Sequence, residues 1–216
     1  MTTKIISISN QKGGCGKTTI AMNLAGYYGI KNKVFVVDGD SQGTATKWSA
    51  MASKDKPFVA TVANLSHAGS QAHHEIEKLT KVYDIIIIDC PPSLNDEFTQ
   101  SALIVSDMVI IPVIPSPNDL WALQPVNLLV EVAQKRNNSL QARILANLVQ
   151  PNTNMAVAAM KILDESKIQK FKTNIHMRTA YRNAAINGTT VCSLNDLKAK
   201  AEITNLVKEI TKLLKI

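Results

Sequence analysis

A glycine-rich loop near the start of the chain carries the residue types that bind phosphate. Residues 10–19 read NQKGGCGKTT and stand between the apolar run 5–8 and the helix-like run 20–25. Glycines let backbone N–H groups turn towards an anion, and the dipole of the following helix adds positive potential at the same point. Lys17 is spaced to reach the β- and γ-phosphates of a nucleotide, and the Thr18 hydroxyl to bind Mg²⁺. The loop therefore predicts nucleotide chemistry.

The entrance of this loop departs from the usual pattern, which has glycine six residues before the conserved lysine. Gln11 occupies that position here, and a second lysine, Lys12, follows it. A solvated loop lysine is one interpretation of Lys12. The other is a second cation for the phosphates, which makes this departure the most informative feature of the sequence.

Three acids stand at or just past the ends of strand-like runs. Asp38 and Asp40 follow the run 33–37, and Asp89 follows four isoleucines. In a phosphate-binding fold these strand ends face the phosphates, where an acid can hold Mg²⁺ or orient the attacking water. One such acid alone is usually a turn residue. Three acids at strand ends in a chain that also has a glycine loop indicate binding of a metal ion and activation of a water molecule. Asp40 is the acid placed to polarise that water.

The elements that must position these residues alternate along the chain. Strand-like runs cover residues 4–9, 33–38, 58–62, 83–89, 108–113, 142–147 and 171–175. Helix-like runs cover 44–52, 71–82, a segment from Asn118 or Asp119 to 134, 155–165 and 195–216. This alternation predicts an α/β fold, a doubly wound and mostly parallel sheet with helices on both faces, as a single domain over residues 1–216.

Composition narrows the class of protein further. With 45% hydrophobic and 19% charged residues the chain is expected to fold rather than stay disordered. A net charge of +7 is compatible with contact to nucleic acid or an anionic membrane. Three widely separated cysteines predict reduced thiols and a cytoplasmic location. No signal-peptide pattern or membrane-spanning run is present in the sequence.

Three motifs together resemble the ParA/MinD superfamily of ATPases, which has a deviant Walker A loop. Residues 12–19 (KGGCGKTT) resemble that loop, residues 38–43 (DGDSQG) the second motif of the ParA branch, and residues 89–93 (DCPPS) its Walker B motif. Residues 111–117 and 178–191 are similar to small plasmid-type partition ATPases. The resemblance covers nearly the whole chain, although Ser41 stands where the family usually has proline.

The resemblance implies a homodimer that closes on ATP, with ATP and Mg²⁺ as cofactors. Lys12 would reach across the dimer to the phosphates of the other subunit and stabilise the charge of transfer. The catalytic residues that it implies are Lys12, Lys17 and Asp40. The metal ligands that it implies are Thr18, Asp38 and Asp89.

The resemblance also implies which residues bind the nucleotide. The phosphate-binding set comprises Gly13, Gly14, Cys15, Gly16, Lys17, Thr18 and Thr19. Cys15 occupies the variable position of the loop. Asn147 resembles the asparagine that contacts adenine in relatives, and a turn residue at a strand end is the alternative interpretation.

Two branches of the superfamily differ in what they bind, DNA or a membrane. The ParA resemblance implies that basic residues of the C-terminal third contact DNA phosphates without reading bases. These residues are Lys167, Lys170, Lys172, Arg178, Arg182, Lys198 and Lys200. The apolar stripe of the last helix could instead contact a membrane, as in MinD-like proteins, but packing on the domain is the interpretation we favour. The stripe comprises Ile203, Leu206, Val207, Ile210, Leu213 and Leu214.

The sequence thus predicts an ATP-dependent partition ATPase of the small ParA type, without an N-terminal helix-turn-helix domain, in the cytoplasm and on the nucleoid. The ATP-bound dimer would bind non-specific DNA. A ParB-like or other small centromere-binding partner would stimulate slow hydrolysis and release it, positioning plasmid or chromosome cargo. The alternatives are a MinD-like membrane-cycling ATPase and a metabolic P-loop ligase or kinase. An iron–sulfur reductase is disfavoured because the cysteines lack its spacing.

Overall fold

A computed structural model describes residues 2–93, 96–116, 123–150 and 154–216. The strands within these ranges are β1 Lys4–Ile8, β2 Val34–Asp38, β3 Thr61–Asn64, β4 Ile85–Asp89, β5 Met108–Val113 and β6 Gln141–Ala146. The α-helices are α1 Lys17–Tyr28, α2 Thr44–Ala50, α3 Ala72–Leu79, α4 Glu97–Val105, α5 Leu123–Arg136, α6 Asn154–Asp164, α7 Thr179–Ile186 and α8 Leu197–Leu214.

The six strands form one parallel sheet in the order β3-β2-β4-β1-β5-β6. After β1 the chain moves to one side of the sheet, and after β4 it crosses β1 to the other side. Loops that leave neighbouring strands in opposite directions open a crevice at the C-terminal ends of the strands. The topology confirms the predicted doubly wound α/β fold and places the glycine loop, which follows β1, at that crevice.

Strand β4 shows why both faces of the sheet are covered. Successive side chains of a strand point to opposite faces. Ile85 and Ile87 therefore join a core that includes residues of α1, α7 and α8, while Ile86 and Ile88 join a core with residues of α3 and α4. An unbroken isoleucine run suits only a strand that is buried on both sides.

The C-terminal helix α8 packs on the first of these faces. Asp196 caps it, because its Oδ1 accepts the Ala199 N–H at 2.9 Å. Most of the apolar stripe predicted from the sequence is buried, and Leu213 packs partly buried against the same core. The favoured interpretation, packing on the domain, is therefore confirmed. In the described part of the chain, every helix is too short or too polar to cross a membrane.

Two predicted strands were wrong in detail, and two helices were not predicted. The run 58–62 is displaced, because β3 occupies Thr61–Asn64. Residues 171–175 form no strand, and this segment joins the sheet through single bridges at Lys170 and His176. The reason is that the N–H groups of residues 172 and 173 donate to the Glu209 carboxylate. They are therefore not available for the backbone hydrogen bonds of a strand. Helices α4 and α7 were missed, and the predicted helix start at Asn118 or Asp119 lies outside the described residues.

Candidate functional site

The glycine loop leads directly into the first turn of α1. Gly14 and Gly16 have φ values of +74° and +89°, a backbone region that side chains with a Cβ rarely adopt. Gly16 stands at the start of α1, and no side chain caps the first N–H groups of this helix. Uncapped N–H groups at a helix start, together with the helix dipole, favour an anion.

Asn147 closes one side of the loop. Its Nδ2 donates to the Cys15 carbonyl at 2.7 Å, and its own N–H donates to the Val113 carbonyl at 2.8 Å. A Cβ added at Gly16 would lie only 2.3 Å from Asn147 Nδ2. The loop is therefore held against the end of β6 at a distance that only glycine permits.

We expect Gly16→Ala to lower the free energy of unfolding by about 2 kcal/mol or more, because it combines a left-handed backbone with a clash. Gly13→Ala is the matched control, since an added Cβ there meets no atom within 4 Å. Urea unfolding of the ligand-free variants measures both. Equal losses in the two variants would contradict the constraint from Asn147.

The two loop lysines lie in one hydrogen-bonded chain. Lys17 is buried, and its Nζ donates to the Lys12 carbonyl at 3.2 Å. The Lys12 N–H in turn donates to Asn10 Oδ1 at 3.2 Å, and Asn10 Nδ2 donates to the Pro112 carbonyl at 2.7 Å. The loop entrance is thus anchored to β5 by Asn10, a buried residue whose role sequence reasoning missed.

The ends of β2 and β4 bring two of the predicted acids together. Asp38 and Asp89 are register partners on these neighbouring strands. Thr18 Oγ1 donates to Asp89 Oδ2 at 2.6 Å, while the buried Asp89 Oδ1 has no hydrogen-bond partner in the described part of the chain. A buried carboxylate oxygen without a partner, beside a threonine hydroxyl, fits a divalent cation.

Asp38 has a different environment from Asp89. Its Oδ2 accepts hydrogen bonds from the N–H and the hydroxyl of Thr46, both at 2.8 Å, and its Oδ1 accepts the Asp40 N–H at 3.3 Å. The predicted metal ligand therefore holds the loop between β2 and α2 in place. The described residues include no cluster of three His, Cys, Asp or Glu side chains that could bind a metal alone. A cation here would need phosphate or water oxygens as further ligands, as Mg²⁺ commonly has.

Burial raises the pKa of Asp89 to about 7. The hydrogen bond from Thr18 lowers this pKa, the charge of Asp38 raises it and the charge of Lys17 lowers it. Without a cation, the site thus holds a proton on Asp89 far above the ordinary pKa of 3.8. A cation that binds there competes with this proton.

We expect the metal-free protein to lose stability between about pH 4 and about pH 7, the interval between the two pKa values of Asp89. Within this interval the folded chain keeps a proton that the unfolded chain releases, so rising pH favours unfolding. Asp89→Asn should remove this part of the pH dependence. Urea unfolding of both proteins at pH 4.5 and 7.5, without Mg²⁺ or nucleotide, measures the difference. The same slope in both would contradict the raised pKa.

Asp40 is fixed through its main chain, close to the glycine loop. Its carbonyl accepts a hydrogen bond from Asn64 Nδ2 at 2.7 Å, and its Oδ1 accepts the Gln42 N–H at 2.9 Å. Its side chain lines a cleft of about 360 Å³ together with Lys17 and Thr18. Asn64 was missed from the sequence, although it ends a strand just as the acids do.

A second cavity, of about 310 Å³, adjoins the same loop and shares Gly14, Gly16 and Thr19 with the first. Its other walls are Asn147, Leu148, Ile175, Met177, Arg178, Tyr181, Arg182 and Ala185. These are mostly apolar side chains with a few polar groups, the usual lining of a small-molecule site. Asn147 thus lies where it could contact the base of a nucleotide whose phosphates bind the glycine loop. Most of the wall of this cavity, however, comes from α7 and the segment before it.

The seven predicted DNA-binding residues fall into three places. Lys167, Lys170 and Lys172 lie in the connection after α6, Arg178 and Arg182 at the second cavity, and Lys198 and Lys200 in the first turn of α8. Lys170 is largely buried, 3.3 Å from Asp164, and Arg178 contacts Glu202 at 2.6 Å. The other five are exposed, although the exposed Lys167 lies 3.7 Å from Glu131.

This parallel sheet, with a glycine loop at the start of α1 and a Thr18–Asp89 pair at the end of β4, defines a P-loop nucleotide-binding domain. The model of the CobQ/CobB/MinD/ParA nucleotide-binding domain matches residues 6–191. The chain therefore belongs to this family, which confirms the resemblance in its motifs.

Individual relatives span almost the whole chain. It is 31% identical over 207 residues to the maintenance of carboxysome distribution protein A of Halothiobacillus neapolitanus, covering 95% of each chain. It is 29% identical to the sporulation initiation inhibitor protein Soj of Bacillus subtilis, covering 96% of this chain and 98% of Soj. A candidate plasmid partition protein of Borrelia burgdorferi bound to AMPPNP shares the fold, with a TM-score of 0.79, 24% identity and coverage of 99% and 100%.

Proposed function

We propose that the protein is an ATP- and Mg²⁺-dependent positioning ATPase of the ParA type. The observation that carries the ATPase part is the Thr18–Asp89 pair, whose Asp89 Oδ1 is buried without a hydrogen-bond partner beside the glycine loop. The positioning part is supported by the relative named for the maintenance of carboxysome distribution. The cargo would be a large assembly, either DNA or protein.

The residues of the cleft divide the chemistry among them. The N–H groups of Gly13 to Thr19 and the Lys17 ammonium would bind the phosphates, and Thr18 and Asp89 would hold Mg²⁺, with Asp38 keeping the neighbouring loop in place. Mg²⁺ supplies charge neutralisation at the phosphates when bound. Asp40 would orient the attacking water and accept its proton. Asn147 and the second cavity would receive the adenine.

Lys12 would complete the site of a second copy in an ATP-bound homodimer. Its position at the loop entrance, anchored through Asn10, supports this role. Because the partner subunit would supply this cation, the dimer would close only when the Lys12 ammonium can meet a bound triphosphate. Hydrolysis would then release the dimer.

We propose DNA rather than a membrane as the surface that the dimer binds. Burial of the α8 stripe removes the apolar face that a MinD-like membrane contact would use. Exposed basic residues remain for phosphates, among them Lys172, Lys198 and Lys200. A small ParB-like partner on the cargo would stimulate hydrolysis and free the dimer from the nucleoid.

Fluorescence anisotropy of a random-sequence 60-base-pair duplex tests this function, with ATP or ADP and Mg²⁺. We expect binding with ATP only, and a loss of roughly 10³-fold between 50 and 200 mM salt if about six phosphates are contacted. Lys198→Ala/Lys200→Ala should weaken binding, whereas Lys54→Ala/Lys56→Ala, an exposed pair in the α2–β3 connection, should not. Co-sedimentation with anionic vesicles instead of DNA would favour the membrane alternative. ATP turnover without any binding to DNA would favour the metabolic one.

A further inference from the structure

Helix α8 carries a carboxylate that is buried among several donors. Glu202 is only 9% exposed. Its Oε1 accepts from Arg178 Nε at 3.0 Å and Nη2 at 2.6 Å and contacts His176 Nδ1 at 2.8 Å, while its Oε2 accepts the Tyr181 hydroxyl at 3.0 Å. A buried carboxylate is tolerated when it is paired and hydrogen-bonded in this way.

The partners of Glu202 belong to the wall of the second cavity. Arg178 and Tyr181 line it directly, and Met177, which lies between His176 and Arg178, lines it as well. Residues 176–178 precede α7 as irregular chain, which a single backbone bridge at His176 joins to Val149. The contacts with Glu202 hold this wall against α8.

A second carboxylate of α8 offers a comparison within the same helix. Glu209 lies two turns after Glu202 and accepts the N–H groups of Lys172 and Thr173 at 2.9 and 2.8 Å, and the Thr173 hydroxyl at 2.6 Å. It therefore anchors the earlier part of the same segment. Its partners do not line the cavity. The two glutamates share a structural task, but only Glu202 acts on the cavity wall.

We propose that Glu202 is a positioning residue for base recognition, which sets the base-side wall of the nucleotide site through Arg178, Tyr181 and the segment 176–178. The proposal rests on the proposed function, since it assumes that ATP places its base in this cavity. A wall that is ordered before binding lowers the entropic cost of binding the base. The phosphate contacts, on the other side of the glycine loop, do not depend on Glu202.

The test compares two probes, ATP and inorganic tripolyphosphate, each titrated calorimetrically with Mg²⁺ into the protein of residues 1–216. The ratio of their dissociation constants reports the contribution of the base and ribose. Glu202→Gln should reduce the preference for ATP by roughly tenfold, since it weakens charge-assisted hydrogen bonds, and leave the tripolyphosphate affinity unchanged. Glu209→Gln should leave the preference for ATP unchanged, even if it lowers the melting temperature by as much as Glu202→Gln does.

Tyr181→Phe is the milder variant, because it removes only the hydroxyl, which donates to Glu202 and at 3.5 Å to the Ala199 carbonyl, and keeps the ring in the wall. A decrease of roughly threefold in the same ratio is expected, so the test does not depend on the folding of Glu202→Gln. A wild-type preference in all three variants, or an equal decrease in Glu202→Gln and Glu209→Gln, would overturn the proposal. If the wild type itself does not prefer ATP, the proposed function fails, and this inference fails with it.

Discussion

Lys12→Ala should abolish ATP-dependent dimerisation and, with it, ATP-dependent DNA binding. In the proposed dimer Lys12 brings a cation to the phosphates of the other subunit, and a comparable cation supplied in trans is worth roughly 10³–10⁵ in hydrolysis rate. The hydrogen bonds from this loop to Lys17 and Asn10 use the main chain of Lys12, whose carbonyl accepts from Lys17 and whose N–H donates to Asn10. Alanine keeps these atoms, so the loop should stay formed.

Sedimentation velocity with ATP and Mg²⁺ measures the dimer, and phosphate release measures turnover. Lys47→Ala is the matched control, because it removes one exposed lysine from α2. We expect the control to dimerise as the wild type does, and Lys12→Ala to bind ATP as a monomer. Normal dimerisation and hydrolysis by Lys12→Ala would show that the shared-site mechanism is wrong.

Asp40→Ala should have the opposite phenotype, a dimer that forms with ATP and scarcely hydrolyses it. Loss of a positioned general base typically lowers the rate by about 10²–10⁴-fold. The main-chain N–H and carbonyl of Asp40 keep their contacts to Asp38 and Asn64 in the variant, and only the bond from Gln42 to its side chain is lost. The backbone at the cleft should therefore be preserved while the carboxylate is removed.

Single-turnover hydrolysis and sedimentation of the same sample separate these effects. Asp55→Ala, in the exposed connection after α2, controls for the loss of one negative charge. A variant that hydrolyses ATP at the wild-type rate would exclude Asp40 as the base. If Asp40→Ala fails to bind Mg²⁺ and ATP at all, the carboxylate holds the cation instead of the water.

Local pattern was enough to predict the parts of this protein that depend on a few neighbouring residues. The glycine loop, the acids at strand ends and the alternation of strands and helices each have a short spacing that physical chemistry explains. The α8 stripe was predicted in the same way, because helical periodicity marks a buried face before the partner of that face is known. Family membership followed from the order of the motifs.

Contacts between distant residues were decided by tertiary structure alone. Asn147 lies 132 residues from Cys15, and their hydrogen bond explains why the loop needs glycine at position 16. Asp38 stays a predicted metal ligand, and the register of β2 and β4 places it beside Asp89, with Thr46 and Asp40 donating hydrogen bonds to its oxygens. No local spacing in the sequence indicated these contacts.

The segment 170–178 shows the same limit most clearly. Its apolar residues predicted a strand, yet Glu209 and Glu202 of α8 hold it as irregular chain along the edge of β6. A helix carboxylate about 30 residues later that accepts hydrogen bonds from a segment leaves no periodic signature in that segment. The sequence by itself determined the phosphate-binding loop and the sheet, through local spacing and periodicity. Only the tertiary structure decided what forms the wall of the second cavity, because packing brings α8 against the segment 170–178.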